Sequence, residues 1–238
     1  MYDFSSKIIM ITGASGNLGT ATYRAFLKHG GKVALLSLDA EKILPLEPEL
    51  GIIEDSILKI STDLTSESEV DAAVEKTLST FGQIDVLVNI AGGYKGGTPI
   101  HETPSDYLDS LFDLNFRTTF NTSKSVTPSM LARGAGSIIN IAARAGLSGP
   151  AKLAVYSASK AAVIRLTESM AAEMKNEGVR VNCILPGTID TPRNRLDMPK
   201  ADFSRWVSPD SIADVILFLA SEGARSITGA SIPVYGRS

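Results

Sequence analysis

Short runs of consecutive apolar residues alternate along this chain with longer stretches in which apolar positions recur every three or four residues. A short unbroken apolar run marks a strand buried on both faces, and the longer period marks a helix packed on one face. Residues 7–11, 32–38, 57–60, 84–88, 137–142, 179–185 and 231–235 therefore read as strands. A helix with Ala21, Phe26 and Leu27 among its apolar positions follows the first. Ser66-Glu67-Ser68-Glu69 has the form of a capping box and opens a helix to about Thr80. Thr103-Pro104, as cap and N1 proline, opens a long helix to about Arg133. The next helix carries Tyr156 and ends near Gly178. Ser208-Pro209 starts the last, to about Ser221. Pro45 and Pro48 allow only short or broken helix between the second and third strands. Strand and helix alternate without repeat or linker. The prediction is an α/β fold: a doubly wound parallel sheet with helices on both faces, as one domain over residues 1–238.

Composition narrows the class. A chain of 238 residues with 44% hydrophobic content can bury a large core. A net charge of −3 without a long basic run argues against nucleic acid as a partner. The single cysteine, Cys183, excludes an internal disulfide and fits a reducing, cytoplasmic setting. Residues 8–11 form only a short apolar run with no basic stretch before it, so no signal peptide is expected. No apolar run has membrane-spanning length. His29 and His101 lie far apart and away from cysteine, so no metal site is expected.

Candidate chemistry lies at the strand ends. Thr12-Gly13-Ala14-Ser15-Gly16-Asn17-Leu18-Gly19 joins the first strand to the first helix. Such a turn presents backbone N–H groups and a helix N-terminus to a pyrophosphate. The second strand ends at Ser37-Leu38-Asp39, where Asp39 suits a ribose or caps the next segment. Asp63, before Leu64, suits an adenine amine or simply closes a strand. Asn89-Ile90-Ala91-Gly92-Gly93 leaves room for a ligand beyond the fourth strand. Asn115 sits among apolar residues, as a structural linker or a water-holding relay. Tyr156 and Lys160 stand four apart on one helical face, where an ammonium would lower the phenol pKa and make it a proton donor. Pro186-Gly187-Thr188-Ile189-Asp190-Thr191 ends the sixth strand, and residues 193–206 have room for a substrate loop or lid.

Together these stretches resemble the short-chain dehydrogenase/reductase family, with its Rossmann fold, over nearly the whole chain. The resemblance implies an NAD(P)-dependent oxidoreductase with a small-molecule substrate. It assigns Tyr156 as the acid and Lys160 as the group that tunes it and binds the nicotinamide ribose. It places Asn115 in a proton relay. It puts Gly13, Ser15, Gly16, Asn17, Leu18 and Gly19 under the pyrophosphate and Ser37 at the adenine ribose. Asp63 and Leu64 then meet adenine, Asn89, Ala91 and Gly92 run along adenosine, and Pro186, Gly187, Ile189 and Thr191 flank the nicotinamide. It also implies a homodimer or homotetramer through paired helices.

Two features depart from the family pattern. Gly16 and Gly19 are separated by Asn17-Leu18, and the serine expected thirteen residues before the tyrosine is Ala143. Ser148 is the nearest substitute hydroxyl. Both departures are similar to the dihydropteridine reductase branch, as are residues 91–97 and 190–206. That branch's NADH-selecting aspartate falls at Ser37, so the cofactor preference stays open between NAD and NADP. The resemblance implies hydride transfer to a small cyclic substrate such as a quinonoid dihydropteridine. A carbonyl reductase or alcohol dehydrogenase, or a non-catalytic dinucleotide-binding regulator, are the alternatives.

Overall fold

The computed structural model describes residues 2–44 and 54–237, so Pro45 and Pro48 lie outside the described residues. The strands are β1 (Ile8–Thr12), β2 (Lys32–Ser37), β3 (Ile57–Ser61), β4 (Val86–Asn89), β5 (Gly136–Ile141), β6 (Val179–Pro186) and β7 (Ser231–Val234). They form one sheet in the order β3-β2-β1-β4-β5-β6-β7, and every adjacent pair is parallel. Strand order reverses between β1 and β4, and loops leaving a sheet at such a point part to form a crevice.

Alternation along the strands feeds two large cores, with a smaller cluster of Ala142, Val163, Ile164, Cys183 and Leu185 beside them. Ile9 and Ile11 join one with Tyr23 and Phe26 of α1 (Asn17–Lys28) and with Ile212 and Ile216 of α7 (Pro209–Ala220). Met10 faces the other. There it meets Val70 and Val74 of α2 (Glu67–Phe81), Met130 of α4 (Thr118–Arg133) and Met170 and Met174 of α5 (Ala154–Met174). Burying each such side chain contributes roughly 1.5–3 kcal/mol. Covering both faces is why the strand sequences are unbroken apolar runs rather than alternating ones.

Three local expectations change. The capping box at α2 is half formed. Ser66 Oγ accepts from Glu69 N–H at 3.4 Å, but the Glu69 carboxylate accepts from Asp63 N–H at 2.8 Å rather than from the cap. The long helix expected from Thr103 begins later, as α3 (Asp106–Phe112). Thr103 Oγ1 instead donates to Pro99 O at 2.9 Å and closes a short 3₁₀ turn. Between α3 and α4 the helix widens into a π turn, Asp113–Arg117, which contains Asn115. The Tyr156 helix stops at Met174, and the chain turns through residues 175–178 before β6.

Candidate active site

The carboxyl ends of β1 to β6 bring the predicted residues to one edge of the sheet. At β1, Gly13 has φ +65°, and a Cβ there would come within 2.9 Å of Ala91 N. A Cβ on Gly19 would meet Gly13 O at 2.3 Å. These two glycines let the turn lie on β4 and let α1 lie on the turn. Gly16 is the N-cap of α1 and provides no side-chain cap. The first-turn N–H groups, those of Asn17, Leu18 and Gly19, have no intrahelical acceptor. That donor set, at the positive end of a helix, fits an anionic pyrophosphate. Ser15 Oγ and Ser37 Oγ hydrogen-bond at 2.8 Å, tying the turn to the end of β2. Asp39 acts as a cap, accepting from Glu41 N–H at 3.1 Å, and it pairs with Lys42 at 3.3 Å.

Thr12 was not singled out by the sequence. Its Oγ1 accepts from Ile90 and Ala91 N–H at 3.0 and 3.1 Å and pins β1 to the loop after β4. Asp63 binds Thr65 through N–H and Oγ1, at 2.9 and 2.7 Å, and these bonds hold its carboxyl below the usual range. Leu64 beside it is buried.

Asn89, at the end of β4, is buried, and its side chain is bonded within the protein. Nδ2 donates to Ser123 Oγ at 3.0 Å and to Asn140 Oδ1 at 2.9 Å, while Oδ1 accepts from Thr122 Oγ1 at 2.6 Å. Asn140 passes the network on to Thr167 Oγ1 at 2.9 Å. A polar group taken out of water needs such partners. The Asn89 side chain thus ties the end of β4 to β5 and α4.

Asn115 is also fully buried, but it works at the edge. Its Oδ1 accepts from Gly93 N–H at 2.8 Å and its Nδ2 donates to Ser159 Oγ at 3.1 Å. Ser159 Oγ donates to Tyr156 O at 2.8 Å, so the π turn is linked to the backbone of the tyrosine. Ser159 escaped the sequence reading, although a serine three residues after Tyr156 on an inward helical face was a usable signal. A Cβ on Gly92 would come within 2.9 Å of Asn115 Oδ1 and 3.1 Å of Lys160 Nζ. Gly92 thus keeps the loop against the two predicted catalytic side chains.

Tyr156 and Lys160 do share the expected stretch of α5, but their electrostatics differ from the expectation. Lys160 is buried and donates from Nζ to Ile141 O at 3.0 Å. Burial lowers its pKa to about 8. Burial also pushes the Tyr156 phenol up to about 12, with Tyr94 adding to the rise. Desolvation disfavours the phenolate, and Tyr94 is the one neighbouring group that shifts it further. Tyr156 is therefore protonated at neutral pH, and the rise makes it a weaker acid than an ordinary tyrosine. Tyr94 packs edge-on against it, with centroids 5.0 Å apart.

After β5, Ala143 occupies the position where a hydroxyl was expected. It is buried and begins a 3₁₀ turn, Arg144–Leu147. Ser148 ends that turn and is exposed. The Arg144 guanidinium lies 5.1 Å from the Tyr235 ring centroid. After β6, Gly187 N–H donates to Val234 O at 3.0 Å. Ile189 pairs with Val207 in a parallel bridge. Thr191 caps α6 (Pro192–Asp197), accepting from Asn194 N–H at 3.2 Å. Arg195 grips Asp190 through two bonds of 2.6 and 2.7 Å. Phe203 packs on Trp206 at 4.7 Å, so this tryptophan has an aromatic partner within its own segment. No helix among the described residues is long and apolar enough to cross a membrane.

Comparison with known proteins agrees with this arrangement. Residues 7–201 match the short chain dehydrogenase family model. The chain is 36% identical to 2-(R)-hydroxypropyl-CoM dehydrogenase of Xanthobacter autotrophicus, over 97% of this chain and 98% of that protein. It is also 36% identical to 7alpha-hydroxysteroid dehydrogenase of Bacteroides fragilis, over 99% and 95% of the two chains. Among solved structures, an NAD+-bound xylitol dehydrogenase superposes with a TM-score of 0.86 at 29% identity, covering 98% of this chain and 99% of that one. ElxO with NADP bound superposes with a TM-score of 0.88 at 28% identity, covering 99% and 98%.

Proposed function

The chain belongs to the short-chain dehydrogenase family, and from that premise we propose a reductase for an acceptor that needs only one protein hydroxyl, of which a quinonoid dihydropteridine is the leading example. It is an oxidoreductase with NAD or NADP as its cofactor, and the nicotinamide, when bound, supplies the hydride. The reading is carried by Ala143 standing beside an otherwise intact Asn115, Tyr156 and Lys160. Reducing a ketone places negative charge on oxygen, and a second donor aimed at that oxygen is worth several kcal/mol, on the order of 3. Reducing a quinonoid ring places the incoming proton on nitrogen, and the acceptor is already electron-poor. The missing hydroxyl costs less there.

Each residue then has a task in this reading. The first-turn N–H groups of α1 hold the pyrophosphate, and Ser37 faces the adenine ribose. Asp63 and Leu64 border adenine. Asn89, Ala91 and Gly92 run along adenosine, and Pro186, Gly187, Ile189 and Thr191 border the nicotinamide. Lys160 binds its ribose, and Tyr156 gives up the proton. Asn115 fixes the loop at Gly93 and, through Ser159, the backbone of Tyr156. Residues 193–206 close over the substrate, and two copies of the chain pair through α4 and α5.

A second reading, a secondary-alcohol dehydrogenase or ketone reductase, draws support from the names of the relatives, which are hydroxyl-bearing substrates' dehydrogenases. Ser148 would then supply the hydroxyl. The discriminating experiment follows oxidation of NADH and of NADPH with a quinonoid dihydropterin and with a ketone panel, for wild type, Tyr156→Phe and Ala143→Ser. Turnover of the pterin that collapses in Tyr156→Phe, with ketone activity appearing in Ala143→Ser, is expected. Ketone turnover without pterin turnover in the wild type would reject the pterin assignment. Inactivity toward both, with cofactor binding retained, would point to the non-catalytic regulator.

A further inference from the structure

Beside Tyr156 the structure has a shallow surface recess of about 10 Å³, room for roughly one water, whose walls include the exposed Lys95 and Lys152 with Tyr107, Leu111 and Leu153. Tyr156 itself forms part of the lining. The two charged residues there are both lysines, and no acidic residue among the described residues lines it. Lys95 Nζ lies 4.8 Å from the Tyr107 ring centroid and 3.4 Å from Ser110 Oγ, both neutral partners. Asp106 and Asp109 stand on the same α3 helix as Tyr107 and Ser110, yet among the described residues neither forms an ion pair with either lysine.

The backbone around Lys152 is unusual. It is the one non-glycine residue among those described with positive φ, at +66°. A lysine in the left-handed region costs about 1 kcal/mol, and such conformations gather at binding sites. The conformation is held from across the recess, because Gly97 N–H donates to Lys152 O at 3.0 Å. The neighbouring glycine is pressed against the same wall: a Cβ on Gly96 would meet Leu153 Cδ2 at 2.2 Å. The loop of residues 94–97 and the segment leading into α5 are thus joined, and each brings one lysine to the recess.

We infer that this recess binds a carboxylate carried by the substrate, with Lys95 and Lys152 as the recognising cations and Tyr107 as the apolar wall beneath Lys95. The inference rests on Tyr156 being the proton donor, since it is the recess's position next to that phenol that makes its occupant a part of the substrate. Two unneutralised ammonium groups at one opening favour an anion, and the excluded acids leave the substrate as their counter-charge. The site selects which acceptor is used. It takes no part in proton or hydride movement.

The test uses two pairs of probes: pterin-6-carboxylate and its methyl ester, and 4-acetylbenzoate and its methyl ester. Binding of each to the protein saturated with NADH is measured by calorimetry for wild type, Lys152→Gly, Lys95→Met and the double variant. Glycine at position 152 removes the charge and tolerates the positive φ. In at least one pair the acid is expected to bind wild type about tenfold more tightly than its ester, with the ratio shrinking at high salt and approaching one in the double variant. Lys152→Arg should keep the preference. General damage to the fold would weaken acid and ester together and leave the ratio unchanged. Equal binding of acid and ester by wild type in both pairs, or a preference that survives loss of both lysines, would overturn the inference. Failure of pterin turnover with acid preference intact would remove the pterin reading and leave the carboxylate site standing.

Discussion

The two walls of the crevice are built to different standards. On the dinucleotide side the backbone is closely packed: added Cβ atoms at Gly13 and Gly19 would fall 2.9 and 2.3 Å from neighbouring backbone atoms. Thr12 bonds two successive N–H groups there, and the network through Asn89 lies just below. On the side of Tyr94, proposed here for the substrate, the loop of residues 94–97 is exposed, and Gly97 has nothing within 4 Å of its missing Cβ. Its lysines lack acidic partners among the described residues. A bed for an invariant part of a cofactor can be tightly specified in backbone. A surface that distinguishes substrates is made of side chains that can be exchanged without disturbing the fold.

Substitutions on each side can sharpen or break that contrast. The largest effect should be Tyr156→Phe, which removes the proton donor but leaves the ring packed on Tyr94. A fall in kcat of about 10²–10⁴ is expected with stability little changed. Steady-state kinetics alongside urea unfolding would check both halves. Gly19→Ala should come next, because the new methyl meets the backbone oxygen of Gly13 rather than a flexible tip. A loss of about 2–3 kcal/mol in unfolding free energy, with weakened NAD(P) binding, is the expected result. Gly97→Ala is its counterpart on the open wall. With φ +98° but free space, it should cost only about 1 kcal/mol, so equal losses at the two positions would erase the contrast.

Lys160 offers a test with a definite sign. Its folded pKa of about 8 lies below the ordinary 10.5, so the folded state binds fewer protons than the unfolded state between those values. The penalty of burying the charge is full below pH 8, shrinks as pH rises and is gone above 10.5. Lys160→Met should therefore stabilise the protein at pH 7, by roughly 1–3 kcal/mol, while lowering turnover. The stabilisation should fade as denaturation is repeated toward pH 10.5. A variant less stable than wild type at pH 7 would show that the bond to Ile141 O outweighs desolvation.

Asn115 offers a further test. Asn115→Asp keeps an acceptor for Gly93 N–H and exchanges the donor to Ser159, so unfolding should move by about 1–2 kcal/mol. Catalysis should fall more than stability does if the π turn positions the tyrosine backbone, which kcat measured beside thermal unfolding would reveal.

The periodicities of the chain determined the sheet, because a strand buried on both faces has almost no freedom in composition. The runs that became β1, β2 and β6 were legible for that reason. The glycine turn and the spacing of Tyr156 and Lys160 were legible because backbone approach and helical geometry are local properties. What the sequence by itself could not determine were long-range matters. The bonding of the Asn89 side chain depends on Ser123 and Asn140, which arrive from other elements. The π turn at Asn115 and the late start of α3 come with contacts to Gly93 and Pro99 that local sequence does not announce. Four-residue spacing put tyrosine and lysine on one face, but tertiary burial set their pKa values, and it raised the phenol where the spacing alone implied lowering. Local geometry follows from neighbours in the chain. Desolvation follows from everything folded over them, and only the assembled structure contains that information.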